Sequence, residues 1–201
     1  MNTEIENKRF VESIEPANIN LLPMARFEGK IEVISHIAEV KSACEYLSSY
    51  KLLGFDTETK PSFKKGKSNK PCLLQLSNHE IAFIFRLNKT GLTDELCHLL
   101  ANKNITKIGT SLKDDFRELQ KLGHFTPNSF IDLQSFVDQF GIKDKSLKKL
   151  TAIVLNLHLS KSQQVSNWEN EVLTPQQQIY AATDAWVCLE IYNELLKYQT
   201  L

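Results

Sequence analysis

Apolar and polar positions follow two periods along the chain, and the switch between them outlines its elements. After a polar, weakly periodic stretch over residues 1 to 28, KIEVIS (30–35) reads as a strand. Ile37, Val40, Cys44 and Leu47 then share one face of a helix over roughly 37–49. KLLGFDTE (51–58), CLLQLSN (72–78) and EIAFIFR (80–86) are short apolar runs of strand length, the last two joined by a tight turn at Asn78–His79. A helix over about 92–103 leads to a short strand TKIG (106–109), and another helix begins near Ser111, a suitable N-cap. FIDL (130–133) is a last strand, followed by helices at about 133–140, 146–155 and from Pro175 to Tyr198.

This order of strands and helices predicts one α/β domain built on a sheet of mixed direction. Residues 1–29 form an N-terminal arm to a domain spanning 30–201.

The final helix contains an anomaly. On a wheel of about 100° per residue, Asp184 falls among Tyr180, Val187, Cys188, Ile191 and Leu195, in the middle of an apolar stripe. An ionised carboxylate is costly to bury without a compensating charge, either a basic side chain or a metal ion.

Composition narrows the setting only slightly. The 201 residues are 42% hydrophobic and 24% charged, with 24 Lys+Arg balancing 24 Asp+Glu, so net charge argues for no polyanionic or membrane partner. No run approaches the roughly 18 apolar residues of a membrane span, and the N-terminus lacks the apolar core of a secretory signal. Cys44, Cys72, Cys97 and Cys188 are scattered, without metal-ligand spacing, and read as reduced core residues of a cytoplasmic protein.

Other acids stand out by position. In FDTET (55–59), Asp56 and Glu58 lie two apart on a strand and so project to one face, where like charges repel unless a cation lies between them. Alone, that pair reads first as a solvent-facing strand end, since hard-cation sites need several carboxylates. In GTSLKDDFREL (109–119), Leu112, Phe116 and Leu119 mark the buried helix face, with Asp115 at its edge and Asp114 pointing away. Two acids in a first helical turn also suit the helix dipole. Taken together, four carboxylates from three separated elements suit hard cations, and all-oxygen ligation favours magnesium or manganese over zinc.

Asp56-Thr-Glu58, Asp115 with Leu119, and Tyr180-Ala-Ala-Thr-Asp184 resemble the three motifs of the DEDD exonucleases. The tyrosine four residues before the last aspartate marks the DEDDy branch, which includes the Werner syndrome exonuclease domain and the ribonuclease D catalytic domain. CLLQLS (72–77), SLKKL (146–150) and the stretch 166–185 extend the likeness from about residue 30 to 198. The resemblance implies an RNase H-like three-layer fold with a mixed five- or six-stranded sheet. It implies a 3′–5′ exonuclease acting on DNA or RNA, at a single-stranded or recessed 3′ end, with two Mg2+ or Mn2+ ions. By that likeness Asp56 bridges both ions, Glu58 and Asp184 complete the first, and Asp115 helps hold the second. Tyr180 orients the attacking water, and nucleoside 5′-monophosphates are released.

Lys60, Lys64, Lys65, Lys67 and Lys70 crowd one loop after the acidic pair, where they could bind phosphates or form a solvated surface, with Phe63 among them as a stacking candidate. Lys143, Lys145, Lys148, Lys149 and Lys161 form a looser second group. The histidines carry no nucleophile or zinc pattern, and Trp168 and Trp186 read as packing residues. The alternative to an enzyme is a catalytically silent module that binds nucleic acid or protein through the same fold.

Overall fold

The computed structural model describes residues 10–61 and 69–199. In chain order the elements are α1 (Pro16–Ile19), β1 (Lys30–Ile34), α2 (Ile37–Leu47), β2 (Leu52–Thr59), β3 (Pro71–Ser77), β4 (Ile81–Arg86) and α3 (Leu87–Thr90). They continue with α4 (Asp94–Ala101), β5 (Thr106–Gly109), α5 (Leu112–Leu119), β6 (Phe130–Asp132), α6 (Leu133–Phe136), a 3-10 turn (Val137–Phe140), α7 (Leu147–Leu155) and α8 (Pro175–Leu196).

Six strands form one mixed sheet in the order β1-β4-β3-β2-β5-β6. The β2–β3–β4 meander is antiparallel, whereas β1 on β4, β5 on β2 and β6 on β5 are parallel. Every residue of β3 and β4 is buried, as expected of central strands covered on both faces. Leu74 and Leu76 of β3 pack with Phe55 against α2 and α4. Leu73, on the opposite face, packs with Trp168 and Ala181 beneath α8. Helices therefore cover both sides of the sheet, in three layers.

Gly54 lets α8 approach the sheet closely. A Cβ at that position would lie 2.0 Å from the Ala185 carbonyl oxygen. Backbone thus meets backbone at one point, immediately beside Asp56 on β2 and Asp184 on α8. The start of α8 is fixed by a reciprocal cap in which Thr174 Oγ1 accepts from Gln177 N at 3.2 Å and Gln177 Oε1 accepts from Thr174 N at 3.0 Å.

Several local expectations change. Ser111 adopts left-handed backbone (φ 57°) and its side chain makes no cap; Asp132 Oδ2 accepts from Leu112 N at 3.1 Å instead. The β3–β4 turn lies at His79–Glu80, closed by the Asn78 side chain, whose Oδ1 accepts from Glu80 N and Ile81 N at 2.8 Å each. The segment 133–140 tightens to a 3-10 turn after Phe136. The helix predicted over 92–103 is α4 alone, preceded by the single turn of α3. The long helix has no single apolar stripe, because Ala181, Ala182, Ala185, Leu189 and Ile191 are buried around its circumference.

The described part of the arm lies along the domain. Pro23 O accepts from His158 N at 2.8 Å and Ala25 N donates to His158 O at 2.9 Å, a short parallel bridge to the segment after α7. Phe27 is buried against Trp186, and its N–H donates to Thr183 Oγ1 of α8 at 3.1 Å. All four cysteines are buried free thiols. Among the described residues no helix is long and apolar enough to cross a membrane.

Candidate active site

The alternation of β2 turns Asp56 and Glu58 toward α8, and the contact at Gly54 brings Asp184 to meet them. Each of the three acids offers a carboxylate oxygen within 4.8 Å of the others. Asp115 stands outside this trio, half-buried on α5, where its Oδ1 accepts from the Thr57 hydroxyl at 2.7 Å. Asp114 is exposed and pairs with Arg117 at 3.2 Å, so the helical reading separated these neighbours correctly. Tyr180 lies one turn before Asp184 on α8, its ring 5.9 Å from that of Trp168.

Electrostatics at this cluster are unfavourable without a cation. Burial, reinforced by the charges of Asp184, Glu58 and Asp115, holds the Asp56 carboxyl well above the usual carboxylate range. Burial and then the charges of Asp184 and Asp115 push Glu58 up to about 9. Asp184 rises to about 7 through burial, with the Tyr180 hydroxyl and Lys161 drawing it back. Asp115 rises to about 6, again by burial, offset by the Thr57 bond. Burial and the surrounding acids push the Tyr180 phenol far up, so it stays protonated.

Among the described residues the ion pairs go elsewhere: Lys60 to Glu169 at 2.6 Å, Lys149 to Asp144 at 2.7 Å, Lys143 to Glu12 at 2.5 Å and Lys145 to Asp138. Among these residues no salt bridge accounts for Asp184, whose Oδ1 is buried without a hydrogen-bond partner. Three oxygen donors clustered with an unsatisfied lone pair are the donor chemistry that hard divalent ions take.

Asp56, Glu58 and Asp184 line a cleft of about 290 Å3 together with Lys148, Lys161 and Gln164. A second cavity, of about 200 Å3, adjoins it at Tyr180 and Asp184, with Met24 and Arg26 of the arm on its far wall. The second lysine group thus divides, with Lys143, Lys145 and Lys149 tied to acids and Lys148 and Lys161 facing the cleft. In the first lysine group, Lys70 is exposed, while Lys64, Lys65 and Lys67, with Phe63, lie outside the described residues. Trp168 is fully buried and Trp186 packs on Phe27, as packing residues do.

Sequence reasoning overlooked Asp132. It closes β6 and caps two helices at once, accepting from Leu112 N of α5 and from Gln134 N of α6 at 2.9 Å. It thereby fixes the helix that carries Asp115. The signal was present, since an Asp directly before LQSF is a favoured N-cap.

A mixed six-stranded sheet between helices, with acids gathered at the edge of β2 and α8, is the RNase H-like architecture of exonucleases. The sequence model of the 3′-5′ exonuclease family matches residues 31–198, and the chain belongs to that family. It is 33% identical over 194 residues to the mouse bifunctional 3′-5′ exonuclease/ATP-dependent helicase WRN, covering 87% of this chain and 13% of that protein. It is 32% identical over 184 residues to exonuclease 3′-5′ domain-containing protein 2 of Drosophila melanogaster, covering 85% of this chain and 30% of that one. The chain thus spans less than a third of the length of either relative. Among solved structures, Escherichia coli RNase D, an exoribonuclease involved in structured RNA processing, superposes with a TM-score of 0.74 at 22% identity, covering 84% of this chain and 44% of its own.

Proposed function

We propose that the chain hydrolyses phosphodiester bonds of DNA or RNA from the 3′ end with two divalent ions, Mg2+ or Mn2+, and releases nucleoside 5′-monophosphates. The observation that carries this reading is the trio Asp56, Glu58 and Asp184, whose carboxylate oxygens gather within 4.8 Å and, among the described residues, form no ion pair with a basic side chain, in a protein of the 3′-5′ exonuclease family. Its free-acid form holds protons at neutral pH, and divalent cations would displace them. Asp56, Glu58 and Asp184 are the ligands we assign to one ion, with Asp56 and Asp115 toward the second. Bound there, the ions would supply Lewis-acid stabilisation of the phosphoryl oxygens and a water of lowered pKa.

The remaining steps belong to the protein. Tyr180 keeps its phenolic proton and can hold a water molecule beside Asp184 for in-line attack. Lys148 and Lys161 line the same cleft as the acids and could neutralise backbone phosphates of the incoming strand. Thr57 fixes the Asp115 carboxylate by its hydrogen bond, and Asp132 anchors the start of the helix that bears it.

The test uses 5′-labelled single-stranded DNA, 3′-recessed duplex DNA and RNA of one sequence, each with Mg2+, Mn2+ or EDTA. The expected outcome is a metal-dependent ladder shortening from the 3′ end, which also reports the sugar preference. A folded protein that binds these strands but shortens none of them with either ion would instead be a silent binding module.

A further inference from the structure

On β3, directly across the antiparallel ladder from Asp56, stands Gln75. Residues paired in this way project to the same face, with Cβ atoms about 5 Å apart. Gln75 is fully buried, and neither its amide nitrogen nor its amide oxygen has a hydrogen-bond partner. Leaving both ends of an amide unpaired in the interior is costly, and a leucine or methionine would fill the space without that cost.

The neighbouring rungs sharpen the point. Glu58 is paired with Leu73, which can donate nothing, and Ser77 is paired with Gly54, which bears no acid. Of the cross-strand partners of Asp56 and Glu58, Gln75 therefore carries the one side-chain N–H. A carboxylate that shares oxygens with cations retains lone pairs for such a donor, and donors of this kind fix a ligand's rotamer and tune its affinity.

We propose that Gln75 is a positioning residue for Asp56: its amide N–H donates to the Asp56 carboxylate when that group ligates divalent metal. This rests on the metal-dependent reading above.

The test titrates the whole chain with Mn2+ alone, without nucleic acid, following free Mn2+ by electron paramagnetic resonance. Gln75→Met, which keeps the length and removes the N–H, is expected to weaken Mn2+ binding about 10- to 100-fold. Its kcat on a 3′-labelled strand should fall while KM for the strand is unchanged. Its metal-free melting temperature should equal or exceed that of the wild type, because an unsatisfied amide has gone. Wild-type Mn2+ affinity in Gln75→Met overturns the inference. So does a lowered metal-free melting temperature in both Gln75→Met and Gln75→Leu, which would make the residue structural. Asp56→Asn separates this result from the parent reading. If the wild type binds Mn2+ and Asp56→Asn does not, the site stands whatever Gln75 does; if the wild type neither binds Mn2+ nor shortens any strand, both readings fall.

Discussion

Neutralising one member of the Asp56–Glu58–Asp184 trio should push activity and stability in opposite directions. Asp184→Asn removes one of the ligands proposed above and should lower activity by at least about 100-fold, a loss at the upper end of what disturbing the supporting shell of a metal site produces. The same change relieves repulsion within a buried acidic cluster, so the metal-free protein should gain about 1 kcal/mol, a typical gain where a strained site is relaxed. For a chain of this size that corresponds to about 2–4 °C in a melting scan in EDTA. A metal-free Asp184→Asn protein melting below the wild type would contradict the electrostatic account. Tyr180→Phe addresses water placement alone and should lower kcat on the order of 10²-fold with little change in KM, as misplacing a reactant does. The three acids stood out because each breaks a local pattern, as acids on an apolar strand and an acid on a buried helix, whereas Tyr180 was singled out only by its place one turn before Asp184 and by the motif it completes. Asp132 broke no pattern and was missed, since a capping aspartate looks like any other loop acid until its two N–H partners are known.

At the level of elements, β2 and α8 depend on each other. Gly54→Ala would press a methyl group against the Ala185 carbonyl, and neither partner is a flexible side chain. The helix must shift, which should cost about 1–3 kcal/mol, as overpacking does, and displace Asp184 from Asp56. Loss of both melting temperature and exonuclease rate is the expected result, and an unchanged rate would mean that the contact does not register the acids. Thr174→Ala should cost about 1 kcal/mol through the lost cap, measurable by denaturant melting, without altering the metal site. Strand positions were readable from short apolar runs, and the order of the meander followed from short connections. The face of α8 was not. A helix buried on nearly every side has apolar residues all round, so its periodicity loses the contrast that a wheel requires. Ser111 failed as a cap for a related reason: sequence shows the residue type, whereas its left-handed backbone is decided by how β5 meets α5.

The whole molecule responds to pH with a definite sign. The carboxyls of Glu58, Asp184 and Asp115 have folded-state values of about 9, 7 and 6, above ordinary carboxylates near 4, and Asp56 also lies above them. The folded state therefore binds more protons than the unfolded state between those limits, and their contribution to stability declines as pH rises from about 4 to 9. In EDTA the chain should melt at lower temperature at pH 8.5 than at pH 5.5. Mn2+ should reverse the order, because cations then compete with few protons at the higher pH. Asp144, whose carboxyl is drawn down chiefly by Lys149 and the Ile14 N–H, opposes this trend only as pH falls toward and below 4. Charge distribution at this scale could not be read from the sequence. Five lysines between 143 and 161 look alike there, yet three are tied to acids and two face the cleft.

The meeting of Asp184 with Asp56 also bears on biosynthesis. The strand that carries two of the carboxylates leaves the ribosome before the helix that carries the third. Until α8 docks at Gly54, the nascent polypeptide holds an acidic pair with no third ligand and a sheet with one face bare. Completion of the core and assembly of the cluster are thus a single event.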